Sequence, residues 1–219
     1  MSLNFKILSI AFASSLFIVS CKCDKGTTYN NPIPVESDND SMDVETETEI
    51  SKIDVDGNYI YEIGNLFDLS LPNGTKLNVG ENSSENKFFK QLGDSTFSVS
   101  SDKTQGWITL DRVYFASGKS DLTGSSDEQI KNIVKILKAF PTATIKVGGY
   151  TDNTGGSDVN MKVSGERAKT VADQIIAEGI EASRLESEGY GAQHFVCPAN
   201  DTKECQAQNR RVDIRITKK

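Results

Sequence analysis

Histidine is nearly missing from this chain: His194 is the only one in 219 residues. No Gly-x-Ser-x-Gly elbow occurs, and no pair of acids stands out as a general acid with its partner, so hydrolytic chemistry has little to work with. Clustered Lys and Arg are missing as well. With a formal net charge of -7, the chain lacks the basic surface that neutralising a nucleic-acid backbone requires. No apolar run is long enough to span a bilayer, since Ile7–Val19 offers roughly 13 residues where a helix needs about 20. A motor component of the stator type, which needs a retained membrane helix, is therefore disfavoured. Cysteine is sparse, four in all. Cys197 and Cys205 have only His194 near them as a further zinc ligand, which makes a metal site a poor reading, and no metal or cofactor is expected.

What is present begins with Lys6 followed by that short apolar run and then Ser20-Cys21, the pattern of an export signal over residues 1–20. Ile18-Val19-Ser20-Cys21 resembles a bacterial lipobox, in which the new N-terminal cysteine is acylated. Cys21 is thus the expected lipid site, and several acyl chains, at about 0.8 kcal/mol per buried methylene, would make the anchor durable. Cys23 does not fit, because Lys22 would occupy the cleavage position, and it receives no role. In an oxidising compartment Cys197 and Cys205, which flank a short polar loop, are expected to pair, a local staple of about 2 to 3 kcal/mol.

Residues 21–56 read as a disordered acidic linker: between Glu36 and Asp56 nine acids face a single Lys52. Roughly 35 such residues reach about 30 to 35 Å as a flexible coil. Residues 57–107 read as a small β-rich module packing on the next domain. Strands are expected at Tyr59–Ile63, Leu66–Leu71, Thr75–Val79 and Thr96–Val99, the middle two joined by Pro72-Asn73-Gly74 as a hairpin, with a brief helix over Ser84–Leu92.

Residues 108–219 alternate strand and helix. Leu110–Phe115 is expected as a strand, and Ser125 with Glu128 as a capping box opens a helix whose stripe is Ile130, Ile133, Val134, Leu137 and Phe140. Thr144–Tyr150 follows as a strand, then a helix from about Asp158 to Glu178 ended by Gly179. Arg184–Tyr190 and the alternating stretch Val212, Ile214, Ile216 complete a βαβαββ order. The fold class is α+β, a two-layer sandwich with helices on one face of the sheet.

The most informative spacing is Thr151-Asp152-Asn153-Thr154-Gly155 ahead of Asn160, Ser164, Arg167 and Val171, which fall at i, i+4, i+7 and i+11 of the second helix. That stripe begins beside the Asp152 loop. The carboxylate and the guanidinium can neutralise each other as a structural bridge, or grip a ligand that carries both an ammonium and a carboxylate. Spacing alone slightly favours the bridge.

From about Val113 to Ile216 the chain resembles the OmpA-like C-terminal domain shared by peptidoglycan-associated lipoproteins, porin-like outer-membrane proteins and flagellar stator proteins. The resemblance rests on Val113-Tyr114-Phe115, Asp121-Leu122-Thr123, Gly149 through Gly155, Asn160, Ser164, Arg167-Ala168, Val171, Gly189-Tyr190-Gly191 and Asn209-Arg210-Arg211-Val212. It implies that Asp152 and Arg167 hold diaminopimelate of the murein peptide stem without chemistry. Thr151, Asn160 and Arg211 become secondary contacts; Asn160 as a helix cap and Arg211 as a brace for the last strand are the alternatives. Tyr150 stands where that family commonly has His, and Gly165 is expected to loosen the helix, at roughly 1 kcal/mol relative to Ala.

Leader and resemblance together imply a lipid-anchored, non-enzymatic protein that binds peptidoglycan and tethers the outer membrane to the cell wall, its C-terminal domain in the periplasm. Peptidoglycan, and a membrane through the lipid, are the expected partners; other envelope proteins are left open, and nucleic acid is not expected. The alternatives are a murein hydrolase and a secreted envelope scaffold without lipid.

Overall fold

The computed structural model describes residues 51–116 and 118–219. The leader at 1–20, the lipid-site Cys21, Cys23 and most of the linker lie outside the described residues. In chain order the elements are β1 (Leu66–Ser70), β2 (Lys76–Gly80), α1 (Ser84–Gly93), β3 (Trp107–Thr109), α2 (Ser126–Ala139), β4 (Thr144–Gly149), α3 (Ser157–Ala177), β5 (Leu185–Gly189), α4 (Lys203–Asn209) and β6 (Val212–Lys218). β1 and β2 form an antiparallel hairpin; the main sheet runs β3-β6-β4-β5. β4 and β5 are parallel, linked through α3, while β6 is antiparallel to both β4 and β3. This is the α+β sandwich that the βαβαββ pattern implies, with α4 added in the insert before β6.

The hairpin forms where Pro72-Asn73-Gly74 turns the chain, Gly74 taking φ +83° as only glycine does readily. Two expected strands are absent. Tyr59–Ile63 makes a single isolated bridge, Ile53 to Tyr59, because its carbonyls are used elsewhere: Tyr59 O accepts from the Tyr114 hydroxyl and Ile63 O from Asn82 N. Thr96–Val99 is irregular, since the Asp94 carboxylate captures the Thr96 amide and hydroxyl in a local turn. The strand placed at Leu110–Phe115 lies earlier, at Trp107–Thr109. The chain then leaves the sheet at Asp111 and Arg112, whose polar groups enter a buried joint with α1 and α2. In that joint the Asp111 carboxylate accepts from Ser84 N (2.7 Å) and Gln129 Nε2 (2.6 Å), and Arg112 pairs with the fully buried Glu85. The capping box is also absent: Ser125 has helical backbone and caps nothing, whereas Ser126 Oγ accepts from Tyr114 N.

The main core lies between sheet and helices, where Ile145, Val147, Ile214 and Ile216 meet Ile133, Leu137, Val171 and Ile175; the side chains of Leu77, Val79 and Phe88 from the hairpin and α1 extend the same cluster. α3 sits unusually close to the sheet. A Cβ built on Gly149 would lie 2.0 Å from Ser164 O, and one on Gly189 would lie 2.3 Å from Gly165 N. Two strand glycines and one helix glycine therefore let backbone rest on backbone. Gly165 does not interrupt α3, which runs unbroken from Ser157 to Ala177. Gly179, at φ +97°, closes that helix as expected, its N–H bonding Ile176 O.

Two outcomes are expected from this packing. Gly189→Ala should lower thermal stability sharply, by about 3 kcal/mol or more, because neither contacting backbone can retreat. Gly165→Ala, whose new methyl would meet nothing closer than 3.9 Å, should leave stability unchanged or raise it by up to about 1 kcal/mol. Equal losses in the two melting curves would contradict the close-approach account. A second outcome concerns tyrosine. Burial, then the nearby Asp213 carboxylate, raises the pKa of Tyr61 and Tyr150 well above the ordinary value, and burial with Asp111 pushes Tyr114 up to about 12. A folded-state pKa above the unfolded one, about 10, stabilises fully below that value and is lost as pH rises through the folded one. Burial and the Glu188 hydrogen bond also raise Tyr190, so absorbance titration at 295 nm should show four tyrosines ionising late in the native protein; simultaneous ionisation of all six near pH 10 would contradict it.

Candidate functional site

The backbone approach of α3 fixes the loop that leaves β4. Thr151 N donates to Gly191 O, and Ser164 Oγ accepts from Gly191 N, so the ends of β4 and β5 and the middle of α3 are tied together. Asp152 then starts a turn in which its Oδ1 accepts from Thr154 N at 2.8 Å, and Gly155 takes φ +93°. Gly156 is the N-cap of α3 and has no side chain to contribute. Asn160 is not the cap: its amide reaches back to Asp152 O at 3.4 Å and steadies the loop from inside the helix.

A cavity of about 520 Å³ opens at this junction. Asp152, Arg167, Thr151, Asn160 and Arg211 all line it, so the five residues singled out by sequence are brought around one space. Asp152 and Arg167 are not paired with each other. Arg167 Nε donates to Lys119 O at 3.0 Å, and its guanidinium lies 5.0 Å from the centre of the Phe115 ring. Among the described residues no hydrogen bond occupies its two terminal nitrogens. Burial lowers the Arg167 pKa, with the positive charge of Arg210 acting in the same direction and the Asp152 carboxylate opposing it. The Asp152 Oδ2 accepts from Arg210 Nη1 at 2.7 Å. Thr151 Oγ1 is buried and has no hydrogen-bond partner among the described residues.

Arg211 faces another way. Its Nε donates to Asp213 Oδ2 at 3.0 Å, its Nη2 to His194 O, and its guanidinium covers the Tyr150 ring at 3.9 Å. It thus braces the start of β6 while touching the cavity wall. Sequence reasoning missed Arg210, and a signal for it exists: Arg211 and Asp213 share one face of an extended segment at i and i+2, which leaves Arg210 to point toward the Asp152 loop. Also missed was the strand-less segment ahead of the hairpin. Gly57 O accepts from Arg210 Nη2 at 2.8 Å, and Tyr59 and Tyr61 line the cavity. One arginine therefore links the carboxylate loop to this strap.

Cys197 and Cys205 are joined by a disulfide, Cα atoms 5.2 Å apart, which closes the insert against α4. Among the described residues no group of three or more His, Cys, Asp or Glu is placed to hold a metal ion, and no helix is long and apolar enough to cross a membrane. A cavity with an aromatic rim, a held carboxylate, a guanidinium with unengaged terminal nitrogens and a partnerless hydroxyl can bind a small polar molecule at both ends.

Residues 114–210 match the family model described as the OmpA family. Over 105 residues, 48% of each chain, the sequence is 38% identical to the Escherichia coli protein named "Probable lipoprotein YiaD". It is 35% identical over 107 residues to "Peptidoglycan-binding protein ArfA" of Mycobacterium bovis, covering 49% of this chain and 32% of that one. The chain thus spans about half the length of the first relative and about a third of the second. The solved peptidoglycan-associated lipoprotein from Burkholderia pseudomallei aligns with a TM-score of 0.47 at 23% identity, over 58% of this chain and 99% of that one. Residues 114–210 of the chain are an OmpA-family domain.

Proposed function

We propose that this chain binds peptidoglycan without covalent chemistry and tethers the outer membrane to the cell wall by holding diaminopimelate of the peptide stem. The observation that carries the reading is that Asp152 and Arg167 line one cavity with separate partners instead of cancelling each other. A diaminopimelyl side chain ends in an ammonium and a carboxylate on one carbon. Arg167, fixed at Nε by Lys119 O, presents its remaining fork to the carboxylate, where a bidentate charge-assisted contact is strongest. Asp152, fixed through Oδ1 by its own turn, accepts from the ammonium, which shares Oδ2 with Arg210 or displaces it.

The residues around the pair support that reading. Thr151 supplies an unengaged hydroxyl at the cavity wall, and Asn160 keeps the Asp152 loop in place. Arg211 adds a balanced charge at the rim, and we assign Arg210 a contact beside Asp152. No group in this arrangement is set up to activate water, so holding is the proposed activity and cleavage is not. The remaining organisation is part of the proposal: a leader at 1–20, a lipid on Cys21, a tether over 21–56 that lets the folded part work away from the membrane, a β-rich module at 57–107 and the binding domain at 108–219. That assigns the protein to the outer membrane, with its C-terminal domain in the periplasm. Similarity to a relative named as a lipoprotein and one named as peptidoglycan-binding agrees with it.

Isolated sacculi should co-sediment the protein, and Asp152→Ala or Arg167→Ala should each cut the bound fraction at least tenfold, the loss of about 1.5 to 3 kcal/mol that a charge-assisted bond represents. Arg167→Ala should move the melting temperature little, whereas Asp152→Ala should lower it modestly, because it also gives up the Thr154 turn and the Arg210 pair. Full binding by both variants, or steady release of soluble muropeptides by the unmodified chain, would overturn the proposal. Labelled palmitate should enter the chain at Cys21 and be lost in Cys21→Ala.

A further inference from the structure

A second cavity, of about 530 Å³, lies over the face of the main sheet that α2 and α3 leave uncovered. Strand alternation places Trp107 and Thr109 of β3, Lys146 and Gly148 of β4, Glu188 of β5 and Asp213 of β6 on this face. An uncovered sheet face is ordinarily polar and flat. This one is aromatic. Tyr150 and Tyr190 stack with centroids 5.1 Å apart, and Trp107 meets both edge-on at 6.4 and 5.8 Å. Gly148 makes that floor possible, since a Cβ there would lie 2.9 Å from Trp107 and 3.0 Å from Tyr190.

Polar groups of both signs surround the rings. Lys146 pairs with Glu188, and the Tyr190 hydroxyl donates to the same carboxylate at 3.0 Å. Below them Arg211 Nη1 and Asp213 Oδ1 are buried without hydrogen-bond partners among the described residues. The rim on one side is His194, a non-glycine residue held at φ +60° with its carbonyl accepting from Arg211, a conformation that costs energy and that functional edges often keep.

We infer that this cleft binds a pyranose ring of a glycan strand. A sugar ring has a C–H face that packs on aromatic planes and hydroxyls at its edge that need both donors and acceptors, which is what Trp107, Tyr190 and the Lys146–Glu188 pair offer together. A cationic ligand fits poorly, because Lys103, Lys146 and Arg211 outnumber Glu188 and Asp213 in the lining and the Arg211 guanidinium already covers one face of Tyr150. Arg211 also lines the diaminopimelate cavity, so the two spaces share a wall. The glycan assigned is therefore the backbone of murein itself, a choice that rests on the function proposed above.

Trp107 is the only tryptophan, so its emission reports the cleft directly. Titration of the full-length chain in detergent micelles with peptide-free murein glycan strands should shift that emission saturably, and Asp152→Ala should respond like the unmodified chain. Tyr190→Ala and the rim variant Lys146→Ala should each weaken the response by about tenfold or more. The inference fails if murein strands produce no saturable change at millimolar sugar, if the Lys146 variant responds as the native chain does, or if maltotetraose acts equally well. Loss of sacculus binding in Asp152→Ala with an intact glycan response separates the two proposals, because each can then fail alone.

Discussion

The backbone of α3 touches the backbones of β4 and β5, and the functional region is arranged by that contact. Gly149 and Gly189 present no side chain where Ser164 and Gly165 pass, so the helix sits closer to the sheet than packed side chains would allow. The same approach has three consequences. The β4–α3 loop becomes short and taut, Ser164 Oγ can reach the Gly191 amide at 2.9 Å, and Arg167, one turn further along, projects into the space beside the loop that carries Asp152. A single methyl in this seam would push apart the elements that carry Asp152 and Arg167, the pair on which the proposed function rests.

Arginine is then sorted by neighbours. Arg211 is neutralised by Asp213 and lies on Tyr150, Arg210 holds Asp152 and the Gly57 carbonyl, and Arg167 is steadied by one carbonyl and an aromatic face. All three line one cavity, where burial and mutual repulsion depress the Arg167 pKa. The carboxylate of the proposed ligand would relieve that repulsion. The strap at Gly57 to Tyr61 completes the wall, so the segment ahead of the hairpin contributes to a cavity whose arginines and Asp152 come from much later in the chain.

Where the sequence had a single strong period, it was legible. β4, α3 and β6 follow from alternation in Ile145, Val147 and in Val212, Ile214, Ile216, and from the Asn160, Ser164, Arg167, Val171 stripe. Segments whose backbone is claimed by side chains were not legible. Tyr59–Ile63 alternates like a strand, yet its carbonyls serve Tyr114 and Asn82; Thr96 is taken by Asp94; Asp111 and Arg112 leave the sheet for Glu85 and Gln129. Apart from the local Asp94–Thr96 turn, these losses depend on partners far away in the chain, which local pattern does not carry. The gathering of Asp152 and Arg167 was readable from helix geometry. The partner of Asp152 was not, because it comes from 58 residues further on, although the Arg211 and Asp213 parity hinted at which arginine was available.

The central claim is that Arg167 and Asp152 take opposite ends of one zwitterionic group. Calorimetric titration with two soluble stem peptides, one carrying diaminopimelate and the other lysine at the same position, tests it most directly. Lysine keeps the ammonium and lacks the carboxylate. The account predicts that the diaminopimelyl peptide binds at least about tenfold more tightly, as a bidentate charge-assisted contact requires, and that Arg167→Ala removes the difference. Equal affinity of the two peptides for the unmodified chain would contradict it.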